Sequence, residues 1–186
     1  VAERAGVAPI TVSRVLNKPE TVSEKTKAAV WKAIEEIGYV PNRLAGALAS
    51  NTSRNVGMVL PHIDNVAFSE RIKGVTDVIR QHGYTLLLGL SGFSPEVELE
   101  HVVSLLGQRV AGLILTSTVH AERTYDLLAR AGVPVVEVPV ISGRLIDMAV
   151  GYSNEAAAHA MTAHLARCGY RKVGLIMTQT ANNRMA

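Results

Sequence analysis

The 186-residue sequence predicts two units of different class: a small all-α head with helix-turn-helix spacing, then an α/β body built on a parallel sheet flanked by helices. Three observations predict this. Apolar residues recur at intervals of three and four through the first 40 residues. From Asn55 onward, short runs that are apolar on both faces alternate with amphipathic stretches. The whole net charge of +3 falls in the first 54 residues, where eight bases face five acids, leaving eleven of each beyond. A basic head on a neutral body points to a polyanionic partner for the head.

In the head, AERAGV reads as the end of a first helix, with Gly6 as its stop. Pro9 stands at the start of the second, where its missing N–H costs nothing. Val12, Val15 and Leu16 share one face of that helix, and Asn17-Lys18-Pro19-Glu20 breaks it. Ser23 is placed to cap a third helix, in which Val30, Ile34 and Ile37 recur at helical spacing and which Gly38 closes. The head is therefore residues 1–40. Pro41 opens a linker, residues 41–54, with no acid and enough alanine and leucine for one or two helical turns. A helix that short is marginal in water, so it is expected only where something packs on it.

Residues 55–186 form the body. NVGMVLP reads as a first strand, and FSERIKGVTDVIRQHGY as a helix ended by Gly83. YTLLLGL is the second strand. SPEVELEHVVSLLGQR follows as a helix with Ser94 as cap, Pro95 at the first position and acids in the first turn. VAGLILTST, VPVVEV, DMAVGYSN and KVGLIM are the third to sixth strands, with AERTYDLLARAG and NEAAAHAMTAHLARCG as further helices. In such sheets ligands bind beyond the carboxyl ends of the strands. Those ends carry residues 61–68, 91–94, 116–118, 139–141 and 153–154.

Composition narrows the function classes. An apolar share of 48% supports a packed core, yet no run approaches the roughly 20 apolar residues of a membrane-spanning helix. The opening VAERAG has an acid and no apolar stretch of a signal peptide. Cys168 is the only cysteine, which excludes an intrachain disulfide and fits a reducing cytoplasm. His159 and His164 are five apart, a poor helical pair, so no metal site is expected, and no cofactor either. No GxGxxG follows the first strand, where the loop is PHIDNVAF, and no GxSxG elbow is present. The sequence does not read as an enzyme.

The strongest motif is AGVAPITVSRVLN. A DNA-reading helix is short, offers small hydroxyls to phosphates, and aims one or two long donors at base edges. Thr11 and Ser13 supply the hydroxyls, and Arg14 can make a two-pronged hydrogen bond to a guanine. Val12, Val15 and Leu16 hold the helix to its neighbours.

This string, followed by TVSEKTKAAVWKAIEEIGYVPNRLAGALAS and the strand NVGMVLP, closely resembles the LacI/GalR family of bacterial repressors, in order and along essentially the whole chain. The resemblance implies a head that binds double-stranded operator DNA as part of a homodimer or a pair of dimers. It also implies a periplasmic-binding-protein-like core that senses a small molecule. Thr11, Ser13 and Asn17 would contact phosphates, Arg14 a base, and Pro9 and Ile10 would occupy the operator-selecting positions. Tyr39, Asn42 and Ala45 would lie at the minor groove or backbone, and Leu48 would be an apolar wedge in the central base step. Pro9 and Ile10 depart from the longer polar residues of some relatives. Neither has a side-chain donor, although Ile10 can touch a thymine methyl, so readout is expected to lean on Arg14 and on groove shape.

In the sensor half, VPVVEV with IDMAVGYSN looks most like the gluconate-type repressors of the family. The resemblance puts Phe68 against the effector, Ser117 and Asn154 at strand ends facing the cleft, and Arg184 on the opposite lobe, where it would pair with a sugar-acid carboxylate. Glu137 is an acid in an otherwise apolar strand, costly unless paired or at a pocket rim. Pro139 stands where many relatives carry an aspartate for sugar hydroxyls. The chain opens inside the first helix and stops just after the sixth predicted strand. It is thus expected to be a partial sequence that lacks most of the second lobe and binds effector weakly alone. The alternative is a solute-binding protein of transport or chemoreception with the same sensor fold, which would have a signal peptide and no head.

Overall fold

The computed structural model describes residues 1–40, 53–64, 66–117, 119–138 and 144–176. Asn42, Ala45, Leu48, Pro139 and Arg184 therefore lie outside the described residues. The chain divides into two compact units, Val1–Ser50 and Asn51–Ala186.

The first unit is helical. Helix α1 (Ala2–Ala5) ends at Gly6, whose φ of 64° is a left-handed conformation that glycine adopts at little cost. Helix α2 (Pro9–Asn17) starts on its proline, and a 3-10 turn (Pro19–Thr21) follows it. Helix α3 (Glu24–Ile37) is capped by Ser23, whose Oγ accepts from the Thr26 N–H at 3.3 Å. Val12, Val15, Val30 and Ile34 form the core, with Val1, Ala2, Ala5, Val7, Leu16 and Val22 packed on it. Full burial of Val15 and Val30 stabilises by roughly 1.5–3 kcal/mol each before entropy is counted. Ile37 differs from expectation at 48% exposed. It continues the apolar face of α3, but among the described residues nothing covers that last turn.

The second unit is a five-stranded parallel sheet in the order β2-β1-β3-β4-β5. Its strands are β1 (Asn55–Leu60), β2 (Thr85–Leu90), β3 (Gly112–Leu115), β4 (Val135–Glu137) and β5 (Met148–Ala149). The helices between them are α4 (Val66–Gln81), α5 (Pro95–Gly107) and α6 (Glu122–Ala131), and α7 (Asn154–Arg167) follows β5. Val59, Leu113, Leu115 and Val135 pack with Val102 and Leu105 of α5 and Leu128 of α6. Met58 and Leu60 pack instead with Phe68 and Ile72 of α4. Burial on both faces is why β1 reads as a continuous apolar run. A Cβ at Gly57 would meet Leu113 Cδ2 at 2.7 Å and Leu105 Cδ1 at 2.8 Å, so α5 lies directly on the bare backbone there.

The expected sixth strand does not form. Residues 172–176 carry no strand, and Leu175 and Ile176 are 81% and 99% exposed. An apolar run becomes a strand only where another edge supplies ladder hydrogen bonds, and among the described residues none pairs with it. Helix α7 is present and capped by Ser153, but none of its residues is buried. No described helix is long and apolar enough to cross a membrane.

Candidate functional site

Helix α2 is two-faced. Val12 and Val15 turn inward while Pro9, Ile10, Ser13, Arg14 and Asn17 are exposed, and Thr11 is half-buried. The face that sequence reading assigned to DNA is thus presented to solvent on a helix anchored from behind. Asn17 reaches back one turn, its Nδ2 donating to the Ser13 carbonyl at 3.0 Å, which steadies the helix end beside the Ser13 hydroxyl. Tyr39 leaves α3 through Gly38, its N–H donating to the Ile34 carbonyl at 3.0 Å and its side chain 42% exposed. One contact escaped sequence reading: Arg4 Nε donates to Glu36 Oε2 at 2.8 Å and ties α1 to α3. Exposed pairs of this kind contribute about 0–1 kcal/mol.

In the second unit, a shallow depression opens at the carboxyl ends of β1, β2 and β3. Pro61, Ser91, Phe93, Ser94, Pro95, Glu98, Ser117 and Val119 line it, around a space of about 190 Å³ that includes its open mouth. Strand order makes β1 and β3 the pair from which the chain winds in opposite directions, the place where open α/β sheets bind ligands. Ser117 is on its wall, its Oγ donating to the Val119 carbonyl at 3.0 Å. Gly92 and Phe93 have φ values of 59° and 68°, and for an aromatic residue that backbone is strained by roughly 1–3 kcal/mol. The strain holds the Phe93 ring edge-on to His62, centroids 5.0 Å apart, at the depression's border.

The other expected effector residues fall elsewhere. Phe68 is sealed in the core under α4, with the Arg71 guanidinium 5.3 Å above its ring, because β1 offers Met58 and Leu60 as a better home for an aromatic than the surface. Asn154 opens α7, next to the Ser153 cap. Glu137 is wholly buried, so it meets no solvent-borne ligand directly, and the cost of its charge is met internally. Its Oε2 accepts from the Ile146 N–H at 2.7 Å, and its Oε1 faces His120 Nε2 at 3.1 Å.

His120 is the residue that sequence reading missed. Its Nδ1 lies 2.5 Å from Glu98 Oε1, so one buried imidazole stands between two carboxylates from α5 and β4. A carboxylate accepts and does not donate, so a ring that serves two carboxylates donates from both nitrogens, as an imidazolium does. Burial alone would lower its pKa, but the hydrogen bonds and charges of Glu137 and Glu98 outweigh that and raise it from 6.5 to about 9. Tyr125 closes the cluster, its ring T-shaped to His120 at 5.4 Å. A sequence signal existed. Glu98, Val102 and Leu105 share the inner face of α5, so Glu98 is an acid on an apolar stripe, whereas Glu96 is the exposed first-turn acid that accepts from Ser94 Oγ.

A three-helix head with an outward-facing second helix, joined in sequence to a parallel α/β lobe with a depression at its carboxyl edge, defines a class: a helix-turn-helix unit coupled to a periplasmic-binding-protein-like sensor. Comparison with known proteins gives the same division. Residues 1–42 match the lacI family of bacterial regulatory proteins, and residues 53–186 match the periplasmic binding proteins and sugar binding domain of the LacI family. The chain is 39% identical over 176 residues to the HTH-type transcriptional regulator GntR of Escherichia coli K12, covering 95% of this chain and 53% of that protein. It is 32% identical to the HTH-type transcriptional repressor PurR of Haemophilus influenzae, covering 95% and 52%. Among solved structures, a LacI-family regulator from Silicibacter pomeroyi superposes with a TM-score of 0.78 at 36% identity, covering 92% and 51%. The lac repressor dimer bound to operator and the anti-inducer ONPF gives 0.77 at 28% identity, covering 95% and 54%. The chain belongs to the LacI family of bacterial regulatory proteins, and it spans about half the length of the curated relatives it matches.

Proposed function

We propose that this chain is the operator-binding head and first sensor lobe of a cytoplasmic transcriptional repressor that acts as a homodimer and is released by a small sugar acid, with gluconate the leading candidate. The observation that carries the DNA reading is the two-faced α2, whose buried valines fix the helix while Ser13 and Arg14 face outward. The similarity to GntR supports a gluconate-type effector. Thr11, Ser13 and Asn17 hold phosphates, Arg14 reads a guanine, and Ile10, 59% exposed, packs on a thymine methyl. Tyr39, Asn42 and Ala45 follow the backbone toward the minor groove, and Leu48 is the wedge at the dyad. Ser117 belongs to the effector wall, Asn154 meets the effector from the start of α7, outside the depression, and Arg184 is the partner of the effector carboxylate.

The effector acts only through its different affinity for the DNA-competent and DNA-released states. Closing on effector alters the spacing of the two linkers, so the heads lose their register on the half-sites. A gel-shift titration of the full chain on its own promoter tests this. Binding that weakens steeply with salt and is released by D-gluconate is the expected result. Promoter binding unaffected by gluconate and by other six-carbon sugar acids would remove the effector reading. Failure to bind any promoter fragment would remove the DNA reading.

A further inference from the structure

The Glu98–His120–Glu137 cluster sets two acid side chains against a single imidazole, so one cation at most serves two acids. Buried charge without a partner is costly, and structural bridges do not call for it. Glu137 has both oxygens occupied, by His120 and by the Ile146 N–H. Glu98 has one oxygen, Oε1, on His120. Glu98 is also the one member of the cluster that lines the depression. Among the described residues, the cluster therefore borders open space through Glu98.

The surroundings say what would meet it there. Ser91, Ser94 and Ser117 line the depression with Glu98, Ser94 Oγ donating to Glu96 and Ser117 Oγ to the Val119 carbonyl. Pro61, Pro95 and the Phe93 ring, held by a strained backbone, provide flat apolar faces that suit the C–H side of a polyol chain. No cation among the lining residues would welcome an anion. The space is shallow, so a ligand group meets Glu98 from its open mouth.

Resting on the reading of this edge as the effector site, we propose that Glu98, held in place by His120 and Glu137, binds the hydroxyl end of the effector and rejects an anionic group there. A sugar acid then enters with its hydroxyl end against Glu98 and its carboxylate pointing away. His120 is a positioning residue, since it acts through Glu98.

The test is calorimetric titration of the full chain and its Glu98→Gln variant with D-gluconate, gluconates that each lack one hydroxyl, 6-phosphogluconate and the neutral polyol D-glucitol. A hydrogen bond to a charged acceptor corresponds to roughly a 10- to 100-fold change in affinity. On the unaltered protein, one terminal deoxygluconate should lose that factor, and 6-phosphogluconate should bind more weakly than gluconate. Glu98→Gln should weaken gluconate by a similar factor, erase the difference between gluconate and that deoxygluconate, and narrow the discrimination against the phosphate. The deoxy series on the unaltered protein stands as a test even if the variant does not fold. Equal losses for every deoxy analogue in both proteins, or no binding by any member of the panel, overturns the proposal. Binding of glucitol but not gluconate overturns the gluconate reading alone and supports the role of Glu98.

Discussion

The two units solve the problem of polar side chains in opposite ways. The head buries only apolar residues and wears its charges outside, with Arg4–Glu36 as a surface tie between α1 and α3. The sensor lobe buries two acids and a histidine beneath the carboxyl edge of its sheet. Under the proposed function, the contrast follows from the ligands. A phosphate backbone is met from a convex helix whose residues need only point outward. A small polar molecule is met in a recess, where each group must be fixed from behind and its charge balanced through the interior.

The largest expected effect breaks that contrast directly. His120→Ala leaves Glu98 and Glu137 buried without their cation and should destabilise the lobe by about 3–5 kcal/mol, read by urea unfolding. An unfolding midpoint equal to the parent's would show that the cluster is not energetically coupled.

The pH dependence comes next. The pKa of His120 is raised in the folded state from 6.5 to about 9, so its contribution is fully present below pH 6.5 and is lost as pH rises through 9. The loss approaches roughly 3 kcal/mol. The groups that face the ring are Glu98, Glu137 and Tyr125, with Arg144 stacked on the far side of Tyr125 at 4.4 Å. Burial, chiefly, raises the Tyr125 pKa as well, so further loss above pH 10 has a second source. Unfolding of the lobe measured between pH 6 and 10 checks this, with the head as internal reference, and a flat profile would refute it.

In the head, Arg14→Ala should cost about 1–3 kcal/mol of operator affinity and relax preference at one base pair, with no change in helicity. Loss of affinity that is uniform across operator variants would reassign Arg14 to a phosphate. The smallest effects sharpen the comparison. Ser23→Ala in the head and Ser94→Ala in the lobe each remove one cap bond, at 3.3 and 3.2 Å, and should each cost about 1 kcal/mol in thermal unfolding.

Most of the fold was legible because its signals are local. Gly6, Gly38, Ser23, Ser94 and Pro95 mark helix ends within a few residues, and the structure places them as expected. The outward face of α2 was legible for the same reason, since inward and outward residues of one helix follow from its period. The depression's edge was legible as a set of loops at strand ends, residues 61, 91–94 and 117 among them. Its charged wall was not, because Glu98, His120 and Glu137 are separated by 22 and 17 residues and meet only when β3 and β4 pair beneath α5. Glu137 drew notice as an acid in an apolar strand, yet its partner could not be read from that strand alone. The run 172–176 misled, since apolarity marks a strand without saying which edge it joins.

Gly57 gives the lobe a hidden gauge. Its missing side chain sets how near α5 lies to the sheet at Leu105, and Glu98 rides on the same helix two turns away. A methyl group at that one position in the central strand would push on the ends of the Leu113 and Leu105 side chains, and through Leu105 on the helix that carries Glu98. Packing at a residue outside the depression is thus connected to the buried cluster, and titration of His120 in Gly57→Ala by NMR would read that connection.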